Sequence, residues 1–172
     1  MKIFFSLFLF LTLLNAKSYE VVIPQKVLQE RVSSSFPIVQ ETLFLTFKVT
    51  DPKIALDGVK QRFNFKAKLL VPNIRDDKGR VVSAVVTLSS RIAYSKGGKL
   101  YLRKIKVVKI ESDYIPKDMR SMLYGAIESA LNDYFKKEIY NLKDEKGMVG
   151  SAVSAIKSVK IVDGGIKITF DF

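Results

Sequence analysis

Residues Pro116 to Lys137 read PKDMRSMLYGAIESALNDYFKK, and their apolar side chains recur at the spacing of an amphipathic helix. Pro116 suits a first helical turn, where a missing N–H leaves no hydrogen bond unmade. Asp118 in the first turn and Lys136 in the last complement the helix dipole. The predicted helix needs a large apolar partner surface, because its stripe consists of Met119, Met122, Leu123, Ala126, Ile127, Ala130, Leu131 and Tyr134.

The segments before and after this helix alternate apolar and polar residues, as half-buried strands do. The clearest strand is predicted from Val59 to Val71, which would span roughly 40 Å at about 3.3 Å per residue. The predicted helix is of similar length, roughly 33 Å. We therefore predict an α+β fold in which a long, strongly coiled antiparallel β-sheet wraps around one long amphipathic C-terminal helix, Pro116–Lys137.

Local signals refine this prediction at three points. Asp51-Pro52 interrupts a strand that begins at Leu43, which indicates an edge strand or a bent one. Asp57-Gly58 predicts a hairpin turn. The apolar phase slips within Leu100–Ile110, and such a slip predicts a β-bulge or sharp coiling of the strand.

The first residues have the pattern of a secretory signal peptide. Lys2 provides a positive start, and an apolar run from Ile3 to Leu14 follows, too short for a good membrane span. We expect cleavage after Ala16, although retention as an N-terminal anchor is the alternative. Residues 17–172 then form a single domain, exported to the periplasm.

Composition excludes several chemistries. The chain contains no cysteine, so it has no disulfide, zinc–thiolate site or thiol nucleophile, and it cannot be anchored by a lipid on cysteine. It also contains no histidine, the usual general base and metal ligand. We predict no enzymatic activity, no catalytic residue, no metal site and no cofactor.

The formal net charge of +12 indicates which classes of partner the protein could bind. Export would exclude nucleic acid and favour anionic lipid headgroups or cell-wall polymers, while solubility alone is the alternative explanation. The cationic residues are predicted on the outer face of the sheet, and they are Lys48, Lys60, Arg62, Lys66, Lys68, Arg91, Lys104, Lys106 and Lys109.

Three short motifs carry little functional weight. Ser154 to Lys157 matches the S-x-x-K pattern of serine acyl-enzymes, but the companion motifs S-D-N and K-T-G are absent. Gly147 to Gly150 matches the GXXG of RNA-binding KH loops without the surrounding pattern. Adjacent carboxylates, such as Asp76-Asp77, are interpreted as solvated loop charges.

Several segments follow one another in a recognisable order. They are Tyr19–Ile23, a helix ended by Phe36-Pro37, Leu43–Leu56, Leu100–Ile105, Pro116–Met119, Leu131–Phe135 and Ile139–Leu142. In this order they resemble the YceB-like family of bacterial envelope lipoproteins. That family is similar to the tubular lipid-binding (TULIP) superfamily, in which a coiled sheet wraps a long helix and an apolar seam can hold lipid. Its relatives bear a lipobox cysteine, whereas this chain has Ala16-Lys17.

The resemblance implies an envelope protein that binds an amphiphile. We predict a non-enzymatic protein that binds or carries a lipid or similar amphiphile between the long helix and the sheet. The alternative is a basic interaction module with a closed core, which binds another protein, an anionic membrane surface or a cell-wall polymer. The predicted lipid-lining residues are Phe63, Phe65, Leu69, Val86, Leu88, Met119, Met122, Leu123, Ile127 and Leu131.

Overall fold

The computed structural model describes residues 18–41, 45–145 and 148–171 of the chain. The predicted signal peptide, the strand start at Leu43 and the glycine at 147 lie outside these ranges. So does the side chain of Met148.

A six-stranded antiparallel sheet forms the larger part of the molecule, and its strands are ordered β2-β3-β4-β5-β6-β7. The long central strands are built from the segments in which apolar and polar residues alternate, so that one face is buried and the other is wet. The strands are β2 (Ile38–Glu41), β3 (Thr46–Asp57), β4 (Arg62–Arg75), β5 (Val81–Tyr94), β6 (Lys99–Glu111) and β7 (Tyr140–Asn141).

A three-stranded antiparallel sheet joins the two ends of the described chain, in the order β1-β9-β8. Its strands are β1 (Ser18–Pro24), β8 (Ile156–Val162) and β9 (Gly165–Asp171). The helices are α1 (Gln25–Ser33), α2 (Lys117–Tyr134) and α3 (Met148–Ser151), with 3₁₀ turns at Leu142–Asp144 and Val153–Ala155.

The core lies on the inner face of the larger sheet. Phe47, Phe63, Phe65 and Leu69 point inward from β3 and β4 and have no exposed surface. Side chains from β5, β6, α2 and the smaller sheet complete one continuous apolar cluster. The polar exception among the buried side chains described is Ser90, whose hydroxyl donates to the carbonyl of Phe63 at 2.9 Å.

Irregularities in the sheet lie where the sequence loses its alternation. The β3–β4 register shifts between Thr50 and Lys53, and Asp51 between them has a positive φ of 52°. The β5–β6 register also shifts, which confirms the bulge predicted within Leu100–Ile110. The prediction that strand β4 begins at Val59 is wrong, because Val59 lies in the turn after Asp57-Gly58 and is 96% exposed.

Helix α2 overturns the predicted fold class. The prediction of a strongly coiled sheet wrapped around a C-terminal helix is wrong: α2 lies mid-chain, the larger sheet is not strongly curled, and three further strands follow the helix. A helix enclosed by a sheet would be buried on all sides. In α2 the fully buried side chains form one row, Leu123, Ile127 and Leu131, while Met122 and Tyr134 are about half exposed.

Polar side chains of α2 explain its position along β6. The Asn132 Oδ1 accepts the N–H of Ile105 at 3.1 Å, and its Nδ2 donates to the Ile105 carbonyl at 2.9 Å. The Glu128 Oε1 accepts the N–H of Val107 at 2.9 Å. The helix therefore covers the open edge of β6, where β7 pairs with Lys99 and Leu100 alone.

Two other strand edges are covered in the same way. On α1, the Gln29 Oε1 accepts the N–H of Ile54 at 2.8 Å, and its Nε2 donates to the Pro52 carbonyl at 2.6 Å. In the β3–β4 turn, the Gln61 side chain accepts the N–H of Ile161 and donates to the Ile161 carbonyl, both at 2.9 Å. Amide side chains thus stand in for missing neighbouring strands on β3, β6 and β8.

Candidate functional site: a basic groove on the outer sheet face

Most of the predicted lipid-lining residues form the closed core. Those from the larger sheet and from the buried row of α2 have no exposed surface, and they are Phe63, Phe65, Leu69, Val86, Leu88, Leu123, Ile127 and Leu131. The two methionines differ: Met119 is partly buried against the core, and Met122 is 57% exposed.

Carriage of an amphiphile between α2 and the sheet therefore stays a prediction. A ligand at this place would have to displace packed side chains, because protein interiors are packed about as densely as organic crystals. The helix would have to leave the sheet, and the Asn132–Ile105 and Glu128–Val107 bonds would have to break. Native mass spectrometry of protein purified from its host is the direct test for a bound lipid.

The outer face of the larger sheet carries the charge. Strand register places Lys53 directly opposite Lys66, and Lys66 opposite Thr87, which is opposite Lys109. Opposed like charges on neighbouring strands destabilise a sheet. A face that retains such a pair is therefore suited to an anionic partner, which would relieve the repulsion.

A groove of about 680 Å³ lies on this face. Small and polar side chains, including Ala55, Asn64 and Ser89, line it between the strands. Cationic residues also line it, from β3, β4, β6 and the β3–β4 turn, and they are Lys53, Lys60, Arg62, Lys66 and Lys106. We call this feature the central groove.

Few carboxylates lie in the central groove to balance the positive charge of its cations. Asp57 is the acidic residue among those that line it, and one of its carboxylate oxygens accepts the backbone N–H of Lys60 at 2.8 Å. Lys106 is paired, because its ammonium lies 2.9 Å from a carboxylate oxygen of Glu128. Among the described residues, the other four cations of the groove form no ion pair within 4.0 Å.

The carboxylate of Glu111 lies close to lysines of this face. Glu111, at the far end of β6, accepts a hydrogen bond from the Lys109 ammonium at 2.6 Å. This bond lowers the pKa of the Glu111 carboxyl below its ordinary value, and the charges of Lys109 and Lys66 lower it further. Lys66 and Glu111 also line one groove, so this cation and this carboxylate lie on the same side of the sheet.

The remaining motifs form no reactive arrangement. The Lys157 ammonium of the S-x-x-K segment lies 2.9 Å from the Asp171 carboxylate, so it is held in an ion pair, and Ser154 is exposed in a 3₁₀ turn. Among residues 18–41, 45–145 and 148–171, no group of three His, Cys, Asp or Glu side chains could hold a metal ion together.

Sequence reasoning found most of this site and missed one central residue. Lys60, Arg62, Lys66 and Lys106 belong to the basic face predicted from alternation. Lys53 was missed, because the register shift after Thr50 changes the face on which each later residue of β3 lies. The signal that could have placed it is Asp51-Pro52, which marks the irregularity.

Comparisons with known proteins add no assignment. No protein-family model matches the sequence, and no curated protein sequence matches it either. The resemblance to the YceB-like family stays a prediction. None of the described helices is both long and apolar enough to cross a bilayer.

Proposed function

We propose that this protein is a non-enzymatic binding protein that holds an anionic partner in the central groove. One observation carries the proposal: five cations line a groove of about 680 Å³ that has a single carboxylate among its lining residues. A phosphate or carboxylate group there would gain Coulomb attraction and charge-assisted hydrogen bonds. Of the two functions predicted from sequence, this one needs no rearrangement of the core.

The proposal includes export, which would bring the groove to the anionic lipids and polymers of the cell envelope. Export rests on the N-terminal sequence pattern, whose residues lie outside the described ranges. Cell fractionation, together with N-terminal sequencing of the mature protein, tests it.

Binding of a small multivalent anion tests the central groove directly. We expect inorganic tripolyphosphate to bind the wild-type protein in isothermal titration calorimetry, and to bind less well as ionic strength rises. The double variant Lys53→Gln/Lys66→Gln should lose most of this affinity, since it removes the two opposed charges.

The matched control is Lys143→Gln/Lys160→Gln, which removes the same charge from exposed positions outside the central groove. We expect it to retain nearly all of the affinity. Equal losses in the two double variants would show that net charge, and not the groove, attracts the anion, and would overturn the proposal.

A further inference from the structure

The central groove has neighbouring grooves, which extend from the outer face to the α1–β2 segment on one side and to β8 on the other. It shares Lys53 and Lys66 with a second groove of about 540 Å³, and this second groove shares Asp51 with a third of about 360 Å³. At its other end the central groove shares Lys60 with a fourth, of about 270 Å³. Four grooves thus neighbour one another through common lining residues, and we call them together the track.

Cations outnumber carboxylates among the residues that line the track, although the third groove has one of each, Lys48 and Asp51. To the five cations of the central groove, the neighbouring grooves add Lys48, Lys68 and Arg91. The acidic residues that line it are Asp51, Asp57 and Glu111. Eight cations minus three carboxylates leave a formal charge of +5. One residue of each sign is paired with a residue outside the lining: Glu111 with Lys109, and Lys106 with Glu128.

The charges are arranged in a line. On β4 the outward side chains alternate with inward-pointing apolar residues and follow one another about every 7 Å. They are Arg62, Asn64, Lys66 and Lys68, three of them cationic. From Arg62 to Lys68 the strand covers about 20 Å. A flexible anionic chain that lies along β4 would meet one cation after another.

The lining residues indicate the chemistry of the partner. Lysine predominates over arginine, and an ammonium recognises charge without demanding a planar acceptor. The aromatic residues among the lining are Phe65, which has no exposed surface, and Phe36, which is partly buried, so nucleobases would find no open platform for stacking. Among the residues that line the four grooves, the exposed large apolar side chains are Val85 and Val108, and Val39 is exposed nearby, opposite Lys48.

We infer that the track binds a linear, phosphate-bearing polymer without bases, laid along β4 with its anionic groups against successive cations. The inference rests on the proposed function and extends it from a single anion to a chain. A flat membrane surface would touch the rims of the grooves, whereas a chain can lie within them.

A length series of inorganic phosphates tests the inference. We expect long-chain polyphosphate to bind about tenfold or more tightly than tripolyphosphate after division by the number of overlapping three-phosphate segments in each chain, because cations beyond the central groove add contacts within one binding event. The slope of log affinity against log salt should also be steeper for the long chain, by roughly 0.7 for each added cation contact.

Variants at the two ends of the track separate chain binding from anion binding. The double variant Lys48→Gln/Arg91→Gln should weaken the binding of long-chain polyphosphate about as much as Lys53→Gln/Lys66→Gln does. It should leave the binding of tripolyphosphate unchanged. The off-track control Lys143→Gln/Lys160→Gln should change neither.

The outcomes are distinguishable. If tripolyphosphate binds at the central groove but the affinity per three-phosphate segment is independent of chain length, the extended track is refuted and the proposed function stands. If no phosphate binds, both fail. If vesicles containing phosphatidylglycerol bind in flotation with the same variant dependence, and displace polyphosphate completely, the partner is a membrane surface and the inference is overturned.

Discussion

Asn132 occupies the place of a neighbouring strand at the open edge of β6. Its carboxamide pairs with both backbone groups of Ile105, and its Nδ2 also donates to the Glu128 carbonyl at 2.7 Å. A partly buried backbone group that loses its partner costs about 1–3 kcal/mol. Since alanine favours a helix over asparagine by at most about 0.7 kcal/mol, the loss should dominate.

We therefore expect Asn132→Ala to lower the free energy of unfolding by about 1–2 kcal/mol, measured by urea denaturation. Ser129→Ala is the matched control, because Ser129 is exposed on the same helix and should be neutral or slightly stabilising. Equal stability of the two variants would mean that the contact with the strand edge contributes nothing.

The ionisation of the Tyr140 phenol can also be predicted from its surroundings. Burial, and then the hydrogen bond that its hydroxyl donates to Glu145, raises the pKa of the Tyr140 phenol from 10.0 to about 12. The guanidinium of Arg31, 5.9 Å from the ring centroid, opposes this in part. Because the pKa is higher in the folded state, the contribution of Tyr140 to stability is complete below pH 10 and is lost as pH rises through about 12.

Spectrophotometric titration of the phenols checks this prediction. The wild-type protein should show one tyrosine that ionises about two pH units later than an ordinary phenol, and Tyr140→Phe should remove it. Glu145→Gln should bring that ionisation partway back, because the charge of Glu145 is lost while the burial remains. A late tyrosine that persists in Tyr140→Phe would assign the shift to another residue.

At the scale of elements, side chains from helices and turns close the strand edges. Gln61 does this for β8 although its own φ is 52°, a left-handed conformation that costs a side chain about 1 kcal/mol or more. We expect Gln61→Ala and Gln61→Gly both to increase hydrogen exchange at the Ile161 amide, which donates to Gln61.

The two variants separate the backbone from the side chain. Glycine tolerates the positive φ, so Gln61→Gly should be the more stable of the two by about 1 kcal/mol, with the same loss of protection at Ile161. The Ile168 amide, in the central strand β9, serves as the internal reference. If exchange at Ile161 is unchanged, the side chain does not hold this edge.

Sequence periodicity could predict the elements but not their assembly. Alternation and the apolar stripe gave most strands and the helix Pro116–Lys137, which is observed as α2 from Lys117 to Tyr134. Asn132 and Glu128 lie outside the apolar stripe of this helix, and the stripe predicts no partner for them. Their bonds to β6 depend on which strand lies alongside, and a pattern within one segment does not contain that information.

The candidate site shows the same division. Local alternation could identify the basic face, because successive side chains of a strand point to opposite faces of the sheet. It could not identify the central groove, because the groove depends on the register that brings Lys53 opposite Lys66. That register changes within the irregularity at Asp51, where the periodicity itself is broken.

At the scale of the whole molecule, a formal charge of +12 opposes folding through self-repulsion. Lys53 and Lys66 are the sharpest case, since like charges directly opposite each other on neighbouring strands are destabilising. We expect Lys53→Glu to raise the free energy of unfolding by about 0.2–1 kcal/mol in urea denaturation at low salt, because it replaces a repulsion with an ion pair.

The dependence of stability on salt separates the charge repulsion at Lys53 from the intrinsic β-strand propensity of the substituted side chain. Added sodium chloride should stabilise the wild-type protein by screening repulsion, since the Debye length falls to about 10 Å at 0.1 M, and it should stabilise Lys53→Glu less. Lys53→Gln, which removes the repulsion without adding an attraction, should fall between them. The same substitutions should weaken the binding of tripolyphosphate, so that the free energy of unfolding rises as the affinity falls. If the charges of the groove served solubility alone, the free energy of unfolding would rise and the affinity would not change.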